Sequence, residues 1–317
     1  MSKATGIHLT GRTLRLVALE RTPSGCRLCA IAQAGLPVVF QPAQLLQNST
    51  RKRIALALKQ TLSGFGDDPG RVVPSLGGGF FQIQKVPLEV VSEEDRRDQI
   101  GWEISQALIS PAGDYLIDFH TTDRAAFWVA VRREVLDLCN DLYAEAGISP
   151  NRLEVEPMAL FYACEMADLW RSGRNAAILF GYPWLSFVAA EEGRLMAAET
   201  VCADGPSLAA DEAKKGADSP DLQNTFNVAQ RWIYGARKPN QRRRAYNRVF
   251  FCGDEDRTLH LIRRLRAPSS PQLTPLQPFA ACETRHIPEA QRPLLSRQNA
   301  FGIAAGLAYR GLQNVKQ

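Results

Sequence analysis

Long apolar runs are what this 317-residue sequence lacks most plainly: none approaches the roughly 20 residues that a helix needs to cross a bilayer. The opening MSKATGIHLTGR has no apolar core of the kind a secretory signal carries. Both absences point to a soluble intracellular protein that would meet a membrane only through a partner. Histidine is scarce, and the four present, His8, His120, His260 and His286, are scattered. The seven cysteines are odd in number and dispersed, so no disulfide framework is expected. Cys26 and Cys29 form the sole C-x-x-C, without the second pair that zinc requires, and read as ordinary strand residues. No metal site is expected. The glycine run Gly77-Gly78-Gly79 is followed by no Lys-Ser/Thr pair and no helix, so it reads as a hairpin turn and not as a phosphate loop.

What is present is ordinary globular composition, 45% hydrophobic and 22% charged, in a chain long enough for two domains. The net charge of +5 is mild. Its densest basic run, Arg237 to Arg244, lacks the aromatic interleaving of a nucleic-acid surface and reads as a solvated loop.

The chain opens with GIHLTGRTLRLVALE. Leu14, Leu16 and Ala18 alternate with Thr13, Arg15 and Val17, which predicts strand, turn at Thr10-Gly11-Arg12, strand. A third strand is expected at Cys26–Ala34, a helix over 51–63, and strands on either side of the three glycines. The segment VSEEDRRDQIGWEISQALISP reads as a helix capped by Ser92, with Ile100, Ile104, Ala107 and Leu108 on one face. YLIDF and AAFWVAVR then read as strands. REVLDLCNDLYAEAGI reads as a second amphipathic helix, with Val135, Leu138, Cys139, Leu142, Tyr143 and Ala146 inward and Gly147 as its left-handed cap. Residues 86–151 thus form a helix-strand-strand-helix module. Pro157 opens a helix with Leu160, Phe161, Cys164 and Ala167 inside.

Beyond residue 175 the opening theme returns. NAAILFGYPWLSFVAAEEGRLMAAET predicts three strands, the last two joined at Glu192-Gly193. SLAADEAKKGADSPDLQN is polar and expected to be loop, TFNVAQRWIYGARK a helix, and RVFFCGDED a buried strand. In the last helix, RQNAFGIAAGLAYRGL, the small residues Gly302, Ala304, Ala305 and Gly306 permit close contact with a neighbour. Two halves that each begin with a three-stranded meander suggest structural duplication.

In this order the pieces resemble the type IV pilus assembly protein PilM family, which has the actin-like ATPase fold. VPLEVVSEEDRRDQIGWEISQALISPAGDYLIDF, with its Trp102-Glu103 pair, carries the likeness most specifically. So do Gly147, Glu156, Pro157 and Ala159 farther on; the opening hairpin and the closing AFGIAAGLAYR fit more loosely. The resemblance implies an α/β chain of two RNase H-like halves: a first half of 1–85 with 152–175 and 297–317, an inserted subdomain (1C type) at 86–151, and a second half at 176–296. It implies a nucleotide cleft between the halves, with ATP and magnesium. It also implies a groove that takes the cytoplasmic tail of PilN, a membrane-spanning partner that recruits the protein to the inner membrane. Val86, Leu88 and Trp102 are the expected contact residues.

The nucleotide positions depart from the family pattern. His8 stands for the metal-associated aspartate, and Thr10, Gly11 and Arg12 for its small-residue turn. Leu179 replaces the second aspartate; Gly181 is kept, but Tyr182, Pro183 and Trp184 follow. Cys252-Gly253 occupies the purine loop, and Val228 the place of a glutamate. Magnesium prefers carboxylates, proline removes an N–H, and a large ring fills space that an anion needs. Arg12 and Arg15, by contrast, suit phosphate without metal. The expectation is a cytoplasmic scaffold of a type IV pilus or type II secretion platform, with a lapsed cleft, no catalytic residue and no required cofactor. The alternative is an ATP-binding protein with a working MgATP cleft. A sugar kinase lacks an identifiable base, and nucleic-acid binding through Arg242–Arg244 has only charge in its favour.

Overall fold

The structure, a computed structural model, describes residues 2–65, 68–88, 93–122, 125–181, 183–203, 220–235, 245–267 and 271–313. The helix cap expected at Ser92, Tyr182 and the basic run at 237–244 lie outside these residues. So does most of SLAADEAKKGADSPDLQN, whose last five residues prove to be helical.

The first half is built on β1 (Lys3–Thr22). Twenty extended residues would span about 66 Å if straight. Yet the N–H of Arg21 donates to the carbonyl of Ser2 at 3.0 Å, so the stretch folds back on itself. The reversal falls at Gly11, whose φ of +51° is costly for any residue with a Cβ. Ile7 and Leu9 of one arm and Leu14 and Leu16 of the other are fully buried in one cluster, as the alternation predicts. β2 (Gly25–Phe40) runs antiparallel to the second arm, and β3 (Arg71–Leu76) parallel to the first. With β7 (Glu154–Val155) and β13 (Cys282–Glu283) the sheet order is β13-β2-β1-β3-β7.

The second half repeats this plan. β8 (Arg174–Phe180), β9 (Trp184–Glu191) and β10 (Arg194–Cys202) form the meander, with Glu192 and Gly193 at positive φ in its second turn. β11 (Arg248–Gly253) and β12 (Gln272–Pro275) follow in parallel, giving the order β10-β9-β8-β11-β12. Each half is therefore an antiparallel meander extended by parallel strands, and the expected duplication is structural.

Between the two sheets lie α5 (Glu156–Met166) and α8 (Gly302–Leu312). Leu160, Cys164, Ile303 and Leu307 are fully buried there against Val73 of the first sheet and Ala177 and Val188 of the second. The small residues expected to bring the last helix close do so. A Cβ on Gly306 would strike the carbonyl of Ala159, and one on Gly6 the carbonyl of Ala304. α1 (Pro42–Leu45), α2 (Asn48–Ser63) and α4 (Arg133–Glu145) cover the outer face of the first sheet, where Leu45, Cys139, Leu142 and Tyr143 enter its core. On the second sheet, α6 (Pro220–Tyr234) and α7 (Glu255–Leu265) take that place.

The inserted module has a sheet of its own, β4 (Gln82–Pro87), β6 (Ala125–Arg132) and β5 (Tyr115–Thr121), in the order β4-β6-β5. α3 (Glu93–Ala107) closes one face with Ile100 and Ile104 over Tyr115 and Trp128, as its periodicity requires.

Three expectations are corrected. Gly77–Gly79 is not a hairpin turn: β3 and β4 belong to different sheets, and the glycines lead into a 3-10 turn, Gly78–Phe80, between them. The last helix does not begin at Arg297, whose φ and ψ are non-helical; a 3-10 segment, Glu289–Phe301, precedes α8, and Asn299 Nδ2 within it donates to the carbonyl of Gly253. Finally, Cys26 is joined to Cys282 in a disulfide between parallel partners of β2 and β13. With a sequence separation of 256, no local spacing could reveal the pair.

Candidate functional site

Two concave regions stand out: the cleft where the halves face each other, which holds the nucleotide positions singled out by sequence, and a groove bounded by the module, the first half and the β9–β10 turn of the second.

At the cleft, His8 is fully buried on the first arm of β1, and its Nε2 lies 3.0 Å from Glu156 Oε1. Glu156, also buried, opens α5 beneath Gly77. Burial pushes the His8 pKa below its ordinary value; the hydrogen bond and charge of Glu156 oppose this, and the nearby Arg15 reinforces it. The imidazole is thus neutral at physiological pH and donates Nε2–H to the carboxylate. Arg15, from the second arm, is buried too and donates Nε–H to Gln33 Oε1 at 3.1 Å. Burial depresses its pKa, while Cys252 and Asp254 act in the opposite sense. Arg12 is exposed in the turn itself.

The opposing hairpin comes close. A Cβ on Gly181 would lie 3.5 Å from Thr10 Oγ1, so the two turns stand side by side. Leu179, at the place of the second aspartate, is 2% exposed and packs in the interior. Cys252 is buried below the start of α8, and its thiol is pushed up to about 12, so it is no nucleophile. Gly253 has φ +135° and leaves no room for a Cβ beside the carbonyl of Phe180. Val228 is half-buried against the second-half core. These residues do not fit a magnesium-bound triphosphate. The position for the metal's carboxylate holds a neutral imidazole already bonded to Glu156, and its counterpart is a core leucine.

The groove has a volume of about 1480 Å³. β6 is buried on both faces, which explains its nearly continuous apolar run. Trp128 points to α3, while Val129 and Val131 face the groove, opposite Leu153, Met158 and Phe161 of the body. β5 forms one wall. Leu116 and Phe119 on it are 52% and 45% exposed, and among the described residues β5 pairs with β6 alone, so its outer edge is open. Asp118 and Glu165 stand at the rim. Arg310, 4.8 Å from the Tyr162 ring and 4.0 Å from Glu154, marks where α8 reaches the groove. Glu154 is held above the usual carboxylate range by burial.

The expected contact residues lie elsewhere. Val86 is inside the module core, 4% exposed, because α3 covers the face of β4 to which it points. Leu88 packs against that core, and Trp102 stands on the outer side of α3, 61% exposed. None of the three lines the groove. Sequence reading passed over Leu116 and Phe119, although YLIDF puts apolar side chains on both faces of a strand, a sign of a second covered face.

No protein-family model matches the chain, and no curated protein matches it. Among solved structures it is similar to a PilM-PilN type IV pilus biogenesis complex, at 19% identity and a TM-score of 0.78 over 98% of this chain and 99% of that one. It is also similar to a Bacteroides thetaiotaomicron protein described as having an actin-like ATPase fold and unknown function, at 9% identity and a TM-score of 0.50 over 93% and 96%. The chain therefore has the actin-like ATPase fold, two halves of one sheet order with an α+β module inserted in the first.

Proposed function

We propose that the protein is a nucleotide-independent scaffold of a type IV pilus, or related type II secretion, inner-membrane platform, and that its groove takes the cytoplasmic tail of a PilN-like single-span membrane protein. The observation that carries this reading is the groove itself: an apolar floor beside an open strand edge. Such a pairing suits an extended peptide, since the outward N–H and C=O groups of β5 can supply main-chain bonds while Leu116 and the floor receive alternate side chains. The whole-chain likeness to a structure described as a PilM-PilN complex supports it. The protein would sit at the cytoplasmic face through that tail; among the described residues no helix is long and apolar enough to cross a membrane.

The test is titration of a synthetic peptide carrying the cytoplasmic tail of a PilN-like single-span membrane protein into the purified chain. Binding is expected without nucleotide, and Leu116→Glu should weaken it at least ten-fold with the fold intact by circular dichroism. No binding, or binding that Leu116→Glu leaves unchanged, overturns the reading. The buried guanidinium of Arg15 favours a second reading, an anion-binding cleft. Calorimetry with ATP, with and without magnesium, separates the two: a flat trace is expected, and heat that Arg15→Gln removes would establish the second.

A further inference from the structure

Trp184 reaches from the second half across the cleft onto the glycine turn of the first. It is fixed at the start of β9, paired with Cys202 of β10, and the amide of Ala203 donates to the carbonyl of Pro183 beside it at 2.8 Å. On the other side stands the turn Gly78–Phe80. This turn is anchored from below: Phe80 is 5% exposed and stacks on Phe40 with ring centroids 4.8 Å apart. A Cβ on Gly78 would fall 2.6 Å from Trp184 Cγ and 2.7 Å from Thr200 Cγ2, and one on Gly79 would fall 3.2 Å from Trp184 Nε1. Neither glycine has a positive φ, so the backbone does not demand glycine at either position. What demands it is the indole. The recess is shaped to a ring supplied by the opposite half, next to the turn pair Thr10 and Gly181 and over Gly77 and Glu156.

We propose that Trp184 is a built-in wedge that holds the two halves in their closed arrangement, so that closure needs no bound ligand. The indole supplies the apolar contact area across the cleft, and Gly78 and Gly79 are the socket that admits it. This does not rest on the groove reading, because no groove residue takes part and the wedge is intact whether or not a tail is bound.

The experiment combines a double-mutant cycle with hydrogen exchange. Trp184→Ala should lower the melting temperature by about 5–10 °C, less than for a fully enclosed tryptophan because this one is half-exposed. Amide exchange should quicken on both sides of the cleft, at Phe80, whose N–H donates to Gly77, as well as at Ala203. Millimolar indole should fill the vacated recess and restore part of the melting temperature. Gly79→Ala in the wild-type chain should also lower it, because its methyl group would crowd Nε1 of the ring. In the Trp184→Ala background the same change should cost less than half as much, since every near contact of that methyl group is with the indole. The proposal is overturned if the two substitutions add independently, or if exchange quickens at Ala203 while Phe80 keeps its wild-type rate. Should Trp184→Ala fail to fold, the cycle run with Trp184→Leu, which also lacks Nε1, Cε2 and Cζ2, gives the same discrimination.

Discussion

His8 shows how much of a site one residue type can reveal. An imidazole in the place of an acid was visible in the sequence, and it argued against a hard cation. Its partner was not: Glu156 lies 148 positions away and meets it only because α5 begins under the glycine turn. The pair predicts a pH response. The unfolded histidine titrates near 6.5, and the folded one below that because burial dominates. As pH falls through 6.5, the unfolded chain takes up a proton that the folded chain refuses until its own lower pKa is reached. The contribution is therefore complete above 6.5 and declines below it, by as much as about 1.4 kcal/mol per pH unit. Urea midpoints at pH 7.5 and 5.5 should fall further for the wild type than for His8→Gln. Equal slopes would show that the imidazole titrates normally. Arg15 was equally visible as a cation, but its burial and its bond to Gln33 were not, because both depend on how β1 doubles back beside β2.

At the scale of elements, local pattern located nearly every strand and helix yet left open which sheet a strand joins. Gly77–Gly79 looked like a hairpin because glycines between two strands usually make one. The chain instead leaves the first sheet there and enters the module, and neither glycines nor alternation encode that choice. The helix crossing of α5 and α8 was half legible: small residues announced a close neighbour without naming Ala159. Gly306→Ala puts a methyl group into that carbonyl and should cost roughly 3 kcal/mol, read from denaturant midpoints. Gly113, with open space around the added Cβ, is the control and should change little. The groove was the least legible feature. Its walls come from β5, β6, α5, α8 and the β9–β10 turn, whose approach is a property of the assembled fold, and the exposed Trp102 drew attention to the opposite side of the module.

For the whole molecule, the Cys26–Cys282 bond ties the second strand of the chain to the segment that leads into its last helix. Closing a loop of that length restricts the unfolded chain strongly. Reduction, or Cys26→Ser, should cost about 2–5 kcal/mol of stability in thermal or urea melts. Loss of the difference between oxidised and reduced samples in the Cys26→Ser variant would assign the effect to this bond. The duplication carries another consequence. Any recess made only from parts common to both halves should occur twice, once in each sheet unit. The groove needs β5 and β6, and the three-stranded module was added to the first half alone. The molecule is consequently monovalent toward an occupant of that groove, despite its doubled architecture. A titration should saturate at a single equivalent per chain, and cross-linking of several tails into one assembly would require several copies of the protein.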